Sequence, residues 1–387
     1  MKSWLIIAAF LLFPSLALGL DVRVPPPSDL SARNFAVMDF ASGNLLAARD
    51  PDERVEPASL TKIMTAYVVF REIDEGKLRL DESIRVSEAA WRTGMRGASR
   101  MFIEVGNEVG VEDLLRGMIV QSGNDACVAL AERIAGTEGA FVDLMNATAR
   151  SLGMNDTQFQ NSHGLPSDET QYTTARDISL LMRALIREFP ELYRYYAERS
   201  FTFNGISQNN RNLLLWRDDS VDGGKTGWTS AAGYNLVSSA QRDEMRMVVT
   251  VMGVRASNHQ EGGRVRANES QALYNWAFRE FETQRIYRAG QVVIEGRVWG
   301  GEERSVPLGL VEDLFVTLPR GRYADLGAAT QLADPLEAPL VQGRDYGRLQ
   351  ITLDDSVLIE KPLVALEPVA QGGWLRRLID TVWKQFS

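Results

Sequence analysis

The chain has 387 residues, 45% of them hydrophobic and 24% charged, a balance typical of a globular protein with more than one domain. Its formal net charge of -9 argues against a nucleic-acid binder that tracks phosphates. One cysteine excludes an internal disulfide. Two histidines, with no metal-binding spacing around them, lead us to expect no metal site and no cofactor.

The first residues have the layout of a secretory signal peptide, which we assign to residues 1–19. Lys2 precedes an apolar run over 4–13, and small residues follow at Ala17 and Gly19. Such a run is too short to span a membrane. A hydrophobic N-terminal strand is the alternative interpretation.

The next part of the chain, residues 20–282, predicts one domain of mixed helices and strands. Two short strands are expected within 34–49, helices through 57–198, a hairpin within 231–254 and an amphipathic helix over 269–282. Strands that come first and last, with helices between them, fit an α/β (α+β) domain whose antiparallel sheet joins sequence-distant strands.

Helical periodicity ends near Thr283, and short alternating runs follow. We therefore predict a small, all-β, sandwich-like domain over 283–370. We assign residues 371–387 to an amphipathic anchor helix; after the glycine pair at 372–373, aromatic and apolar residues are expected on one face and basic residues on the other. That pattern favours a helix lying on a membrane surface through residues 374–387. Docking on the β domain is the alternative.

The most informative position is a lysine in an apolar helix. The stretch "PASLTKIMTAYVVF" is apolar almost all round, which is typical of a buried helix, yet Ser59 and Lys62 share one side of its first turn. A buried lysine is paired or has a lowered pKa, and it can then take a proton from a neighbouring hydroxyl near neutral pH. The pair therefore indicates an activated serine nucleophile.

Two further stretches strengthen this interpretation. Ser122-Gly123-Asn124 falls at a helix break, where small polar side chains can point into a cleft. Lys225-Thr226-Gly227 begins a late strand, and on a sheet edge it would offer a cation, a hydroxyl and an open backbone to an extended peptide. Three such motifs in this order are far less expected by chance than any one of them.

S-x-x-K, S-x-N and K-T-G in this order resemble the penicillin-binding proteins and serine β-lactamases. The closer resemblance is to low-molecular-mass D-alanyl-D-alanine carboxypeptidases of the penicillin-binding protein 5 type, and it runs from about Val37 to the C-terminus. It implies a penicillin-binding/serine β-lactamase-like catalytic domain, a small β domain and a terminal anchor helix.

The resemblance also implies roles for individual residues. Ser59 would be the acylated nucleophile, Lys62 its general base, and Ser122 the proton relay to the leaving D-alanine. The substrate would be bound by Asn124, Lys225, Thr226, Gly227, Trp228, Arg211 and Arg266. The oxyanion hole would consist of the backbone N–H groups of Ser59 and Trp228. For Arg266, a solvated surface position is the alternative.

Several residues depart from these roles or stand outside them. The family commonly has histidine where this chain has Trp228, so substrate preference or deacylation can differ. We expect His163 to be a structural residue beside Asp177, and His259 to lie solvated in a polar loop. Cys127 should be a buried packing residue, although its closeness to the site raises inhibition by thiol reagents as a hypothesis.

We therefore predict a periplasmic serine D-Ala-D-Ala carboxypeptidase, attached peripherally to the outer face of the cytoplasmic membrane. It would trim peptidoglycan pentapeptide stems and be trapped by β-lactams, with no nucleic acid or metal involved. A class A β-lactamase is disfavoured because the stretch "NDTQFQNSHGL" has no glutamate. A D,D-endopeptidase and a penicillin-binding sensor or scaffold with slow β-lactam hydrolysis remain as alternatives.

Overall fold

The computed structural model describes residues 24–95, 99–167 and 170–384. The predicted signal peptide, residues 1–19, lies outside the described residues. The chain divides into two compact units, with the boundary between Thr283 and Gln284. Each unit is described by itself below.

The larger unit combines strands from both ends of its sequence with helices from the middle. Its strands are β1 (Asn34–Asp39), β2 (Leu45–Arg49), β3 (Ser83–Arg85), β4 (Glu108–Gly110), β5 (Ser200–Phe203), β6 (Ile206–Asn209), β7 (Val221–Thr229), β8 (Gly233–Arg242) and β9 (Met245–Val254). Its helices are α1 (Thr61–Asp74), α2 (Glu88–Met95), α3 (Val111–Val120), α4 (Asn124–Ala135), α5 (Glu138–Ser151), α6 (Ala175–Glu188), α7 (Pro190–Tyr193) and α8 (His259–Glu280).

The main sheet is antiparallel and has the order β2-β1-β9-β8-β7. Strand β1 pairs with β9, more than 200 residues later, with Phe35 opposite Val251. This confirms the predicted sheet of sequence-distant strands. Strand β7 forms one edge of the sheet, as expected for K-T-G, although the motif lies within the strand and not at its start. The closing helix also begins earlier than predicted, at His259.

The core of this unit encloses helix α1. Every side chain from Ile63 to Phe70 is at most 4% exposed, which explains why the helix is apolar all round. Phe189 packs edge-on against the ring of Tyr67, with ring centroids 5.2 Å apart. Because α1 is held on all sides, the residues of its first turn are fixed relative to the sheet and to the neighbouring helices.

The smaller unit is built of strands, as predicted. They are β10 (Phe281–Tyr287), β11 (Val292–Trp299), β12 (Ser305–Gly309), β13 (Leu314–Pro319), β14 (Leu326–Leu332), β15 (Leu336–Glu337), β16 (Asp345–Leu353) and β17 (Ser356–Ala365). Six of them form a sheet in the order β14-β16-β17-β12-β11-β15, and β10 pairs with β13. The turn between β16 and β17 uses positive φ at Asp354 and Asp355, the pattern that suits a tight hairpin.

A final helix, α9 (Trp374–Lys384), contacts this unit through polar groups. Asp380 accepts a hydrogen bond from the backbone N–H of Gly300 at 2.8 Å, and Arg376 donates to the carbonyl oxygen of Glu302. Four apolar side chains in its first part face solvent, with exposed fractions of 48–72% for Trp374, Leu375, Leu378 and Ile379. Among the described helices, none has the length and hydropathy needed to span a membrane.

The packing of α8 on the sheet gives a stability prediction. A Cβ on Gly262 would lie 2.4 Å from the ring of Tyr234, whereas one on Gly263 would meet only Leu213, at 3.8 Å. We expect Gly262→Ala to lower the free energy of unfolding by about 1–3 kcal/mol, because the helix must shift away from the sheet. The measurement is urea unfolding followed by tryptophan fluorescence.

Gly263→Ala is the matched control for this experiment. It makes the same chemical change one residue along the same helix, where alanine gains about 0.5–1 kcal/mol of helix propensity over glycine. Equal effects of the two substitutions on the unfolding midpoint would contradict the packing described here.

Candidate active site

Ser59 lies in a tight turn at the start of the buried helix. A short 3-10 helix, Ala58–Leu60, runs directly into α1, and Ala58 has a positive φ of 48°. Left-handed backbone is unfavourable for alanine and persists only where the surroundings enforce it, which is frequent at functional sites. Ser59 is partly exposed, so its hydroxyl is accessible while its backbone is held.

Lys62 is the buried lysine that the sequence predicted, and all its contacts are uncharged. It is 1% exposed, and its Nζ atom donates to Ser59 Oγ at 3.2 Å, to Asn124 Oδ1 at 2.6 Å and to the carbonyl oxygen of His163 at 2.6 Å. Burial lowers the pKa of Lys62 to about 8, and the positive charge of Arg211 adds to this shift. Three neutral partners therefore orient a lysine that is partly deprotonated near neutral pH.

Ser122 and Asn124 occupy the break between α3 and α4, as predicted. Ser122 is 2% exposed and has a positive φ of 67°, which turns the chain sharply between the two helices. Its Oγ accepts a hydrogen bond from Lys225 Nζ at 3.0 Å. Burial, followed by the charges of Lys62 and Arg211, lowers the pKa of Lys225 well below its ordinary value.

Two glycines let the backbone close around the serine turn. Gly227 in β7 comes so close that a Cβ there would lie 3.3 Å from the backbone N of Leu60. Gly164 has a positive φ of 81°, and a Cβ there would lie 1.8 Å from the carbonyl oxygen of Ala58. Only glycine permits the approach at position 164, and a Cβ at position 227 would require its neighbours to move by a few tenths of an ångström. The edge strand and the loop over 161–164 therefore enclose the turn from two sides.

The loop over 161–164 supplies a functional group that sequence reasoning missed, namely the backbone carbonyl of His163. Asn161 Oδ1 accepts the N–H groups of His163 at 3.2 Å and Gly164 at 2.6 Å, which fixes the loop. Glu138 Oε1 accepts the N–H of Ser162 at 2.9 Å. The sequence signal was the Asn-x-x-Gly of "NSHGL", a turn pattern, but a carbonyl ligand leaves no mark on residue type.

His163 has a structural role, as predicted, but its neighbour is not the predicted one. Its Nε2 lies 3.7 Å from Glu138, and its Nδ1 accepts the N–H of Leu165 at 3.1 Å. Asp177 instead accepts hydrogen bonds from Thr157, at 2.7 Å, and from a backbone N–H. Burial lowers the pKa of His163 to about 3, so the imidazole is neutral at physiological pH.

The two predicted arginines differ in their surroundings. Arg211 donates to Ser99 Oγ at 2.8 Å, and its charge acts on Lys62 and Lys225. Arg266 is 6% exposed, which excludes a solvated surface position. It donates to the carbonyl oxygens of Asn235 in β8 at 3.2 Å and Gly227 in β7 at 3.4 Å, so it supports the edge strand β7.

Trp228 and His259 form a contact that the sequence did not predict. Trp228 is 44% exposed, and its ring lies edge-on to that of His259 with centroids 4.4 Å apart. Tyr234, which is opposite Trp228 on β8, approaches His259 Nδ1 with its hydroxyl at 3.2 Å. His259 is exposed, as predicted, but its predicted place in a loop was wrong, because the residue begins helix α8 and its ring contacts that of Trp228.

Cys127 is buried, as expected, and its reactivity is low. It is fully enclosed, and its thiol donates to the carbonyl oxygen of Gly123 at 3.2 Å. Burial raises the pKa of Cys127 to about 12, so thiolate is scarce. The hypothesis that thiol reagents inhibit through this residue is not supported by its surroundings.

The site therefore combines a held hydroxyl, a lysine of lowered pKa and several fixed positive charges. The positive charges belong to Lys225, Arg211 and Arg266, and the charge of Arg211 contributes to the lowered pKa values of both lysines. Burial, followed by the charge of Arg211, lowers the pKa of Arg266 to about 10. Such a site can activate a serine and attract an anionic ligand.

Comparisons with known proteins agree with this chemistry. A family model described as D-alanyl-D-alanine carboxypeptidase, peptidase family S11, matches residues 21–256. A second model, described as the C-terminal domain of penicillin-binding protein 5, matches residues 281–371. The two models together account for both structural units.

Individual relatives give the same result. The D-alanyl-D-alanine carboxypeptidase DacC of Escherichia coli K12 is 43% identical over 385 residues, covering 98% of this chain and 94% of its own. The solved structure of penicillin binding protein 5 from Haemophilus influenzae has a TM-score of 0.84 and 42% identity, covering 90% of this chain and 100% of its own. Penicillin-binding protein D2 of Listeria monocytogenes, solved in an ampicillin-bound form, has a TM-score of 0.58 and 29% identity, covering 65% of this chain and 100% of its own.

The fold and the motifs at its centre are those of a penicillin-binding protein. Within that class, the chain belongs to the D-alanyl-D-alanine carboxypeptidase family of serine peptidases.

Proposed function

We propose that this chain removes the terminal D-alanine from peptidoglycan pentapeptide stems through an acyl-enzyme on Ser59. The observation that carries the proposal is the set of contacts at Lys62. Its Nζ touches the serine hydroxyl, an amide oxygen and a backbone carbonyl, and none of these hydrogen-bond partners is a carboxylate. A lysine held in this way accepts a proton near neutral pH, which is what a serine nucleophile needs from its base.

In the acylation step, neutral Lys62 takes the proton of Ser59 as Oγ attacks the carbonyl carbon between the two D-alanines. The negative charge that develops on the carbonyl oxygen would be bound by the backbone N–H groups of Ser59 and Trp228. Ser122, held by Lys225, then delivers its proton to the amine of the departing D-alanine and receives in its place the proton that Lys62 took from Ser59, so that Lys62 is neutral again. The C–N bond breaks, and the shortened peptide remains as an ester on Ser59.

In the second step, a water molecule gives a proton back through Lys62 and attacks the ester, which releases the peptide and regenerates the serine. The terminal carboxylate of the substrate would be bound by Thr226, under the positive potential of Lys225 and Arg211. A β-lactam presents both a carbonyl and a carboxylate, so the same groups can open its ring and leave an acyl group on Ser59.

The surroundings of Arg266 favour a different role from the substrate binding that the family resemblance implied. Its guanidinium is engaged with backbone carbonyls behind β7, including that of Gly227. We infer that it positions the edge strand and adds to the positive potential, while Arg211 lies nearer to the substrate carboxylate.

Location outside the cytoplasm and attachment to a membrane surface are also part of this proposal. The signal peptide at residues 1–19 is proposed from its sequence alone. Support for attachment through residues 374–387 comes from α9, whose polar residues Arg376 and Asp380 contact the β unit while its apolar side chains face outward. A helix docked through its polar groups leaves its apolar residues available to lipid.

The first prediction concerns the nucleophile. The full chain, incubated with a peptide ending in D-Ala-D-Ala, should release a single D-alanine, and benzylpenicillin should add covalently to Ser59. Ser59→Ala should abolish both, because no other hydroxyl is hydrogen-bonded to Lys62 in the described structure. Product masses measure both outcomes.

Ser151→Ala is the control, since Ser151 is an exposed helical serine. Penicillin addition without D-alanine release would support the endopeptidase or sensor instead. Release that survives Ser59→Ala would exclude the proposed mechanism.

The second prediction is a pH dependence. At pH 7 about 9% of a lysine with a pKa near 8 is neutral, against about 0.03% of one at 10.5. The rate of acylation by benzylpenicillin should therefore rise with pH, with a midpoint near 8, and level off above it. Arg211→Gln removes a charge that lowers the pKa of Lys62, so this variant should move the midpoint upward.

Stopped-flow acylation across pH 5–10 measures this midpoint. His163, with a pKa of about 3, cannot produce a transition in that range. A midpoint near 6.5, or one that Arg211→Gln leaves in place, would rule out Lys62 as the base.

The third prediction concerns α9. The full chain should sediment with vesicles containing phosphatidylglycerol, and the double change Leu375→Glu with Leu378→Glu should abolish this, because it places charges on the outward apolar side. Val341→Glu changes an apolar residue that is equally exposed, at 55%, but lies outside the helix, and it should have no effect. Binding that survives the double change would contradict attachment through α9.

A further inference from the structure

One carboxylate that has no part in the mechanism above contacts the loop that supplies the His163 carbonyl. Glu138 is in the first turn of α5, and its Oε1 atom accepts the backbone N–H of Ser162 at 2.9 Å and the hydroxyl of Ser162 at 2.6 Å. The next residue, His163, is the one whose carbonyl oxygen accepts Lys62 Nζ at 2.6 Å. Glu138 therefore holds the immediate neighbour of a residue that binds the base.

Helix α5 holds this part of the chain at two points. Asn146 donates to the carbonyl oxygen of Phe159 at 3.0 Å and accepts the N–H of Phe159 at 2.9 Å. Glu138, about two helical turns before Asn146, holds Ser162. Because residues of one helix keep a fixed spacing, these two contacts fix the course of the backbone from Phe159 to Ser162.

The burial of these residues places Glu138 on the outer side of the loop. Its side chain is 30% exposed, whereas Ser162 is fully buried and Lys62 is 1% exposed. The carbonyl oxygen of Ser162 accepts Thr65 Oγ1 from α1 at 2.6 Å, so the loop is held from the inner side as well. The contact between Glu138 and Ser162 thus lies between solvent and the buried lysine.

From this arrangement we propose that Glu138 is a positioning residue for Lys62. By holding Ser162, it keeps the His163 carbonyl on Nζ and keeps water away from the lysine. The inference rests on the proposed function, in which Lys62 is the base. In the described structure no hydrogen bond or ion pair joins Glu138 to Lys62, so its effect passes through the loop.

Other groups determine the charge around Lys62. They are Asp125 and Cys127 in α4, Lys225 in β7, and Arg211. Burial nevertheless remains the largest cause of the lowered pKa of Lys62. A loop that no longer excluded water would weaken this cause, and the pKa of Lys62 would rise toward its ordinary value.

The test is the pH dependence of acylation by benzylpenicillin in two variants of Glu138. Glu138→Ala removes both hydrogen bonds to Ser162, and we expect the midpoint to rise from about 8 by about 0.5–1 pH unit as water reaches Lys62. The rate at pH 7 should then fall about three- to tenfold, because less of the lysine is neutral there. Most of this loss should disappear at pH 10, where Lys62 is largely neutral in both proteins.

Glu138→Gln separates positioning from charge. It keeps an oxygen that can accept both hydrogen bonds and removes only the negative charge. The midpoint should therefore stay at its wild-type value or fall slightly, since loss of a negative charge disfavours the ammonium form. The two variants are thus expected to differ in the direction of the shift.

Glu261→Ala is the matched control. Glu261 is also in the first turn of a helix, α8, and also accepts the backbone N–H and the hydroxyl of a serine, Ser257, but that serine has no link to Lys62. This change should leave the midpoint where it is. Ser162→Ala removes only the hydroxyl contact with Glu138, so it should give a smaller upward shift, and it replaces Glu138→Ala if that protein does not fold.

The outcomes distinguish this inference from the proposed function. An unshifted midpoint in folded Glu138→Ala, equal shifts in Glu138→Ala and Glu138→Gln, or a loss of rate that is the same at pH 7 and pH 10 would overturn the positioning role alone. A wild-type midpoint near 6.5 would instead remove Lys62 as the base, and both proposals would fail together.

Discussion

The active site depends on keeping one ammonium group away from both water and carboxylates. Lys62 is buried, and its hydrogen bonds go to a hydroxyl, an amide and a backbone carbonyl, none of them charged. A carboxylate in the same position would have stabilised the charged form and removed the basicity. Three elements that are distant in the sequence come together to supply these uncharged partners of Lys62. They are the start of α1, the start of α4 and the loop over 161–164. The apolar character of α1 has the same cause, because Lys62 is excluded from water only if the whole helix is buried.

Close backbone approach is the second requirement: a side chain at Gly164 would prevent it, and one at Gly227 would force the neighbouring backbone to move. The carbonyl of Ala58 touches Gly164, and the same turn touches Gly227 from the strand side. The left-handed backbone of Ala58 and Ser122 is maintained by these contacts and by the burial around them. Stability and function are thus linked at the turn that carries Ser59. If the contact with Gly164 or with Gly227 were lost, the Ser59 hydroxyl would no longer be held in place.

Much of this site could be predicted because its chemistry is carried by side chains in short motifs. Ser59, Lys62, Ser122, Asn124 and Lys225 meet in the structure as their spacing and the family resemblance implied, and the sheet of sequence-distant strands followed from the order of elements. The carbonyl of His163 could not be found, since any residue can supply a carbonyl. The predictions of the neighbour of His163 and of the surroundings of His259 failed for a related reason. Both depend on where a loop folds back, and the local periodicity of the sequence carries no information about that.

The open edge of β7 has a consequence for which bond of a peptide substrate is cut. A peptide that pairs with a strand edge repeats its hydrogen bonds every two residues, and a slip of one residue turns every side chain to the opposite face. Neighbouring peptide bonds are therefore not equivalent positions on this edge. In the proposed mechanism, Thr226 and the nearby cations bind the end of the substrate and Ser59 is fixed beside Gly227, so the strand would set the distance between the substrate terminus and the bond that is cut. In that arrangement the position of the cut depends on the distance from the substrate's terminus and not on the length of the rest of the substrate.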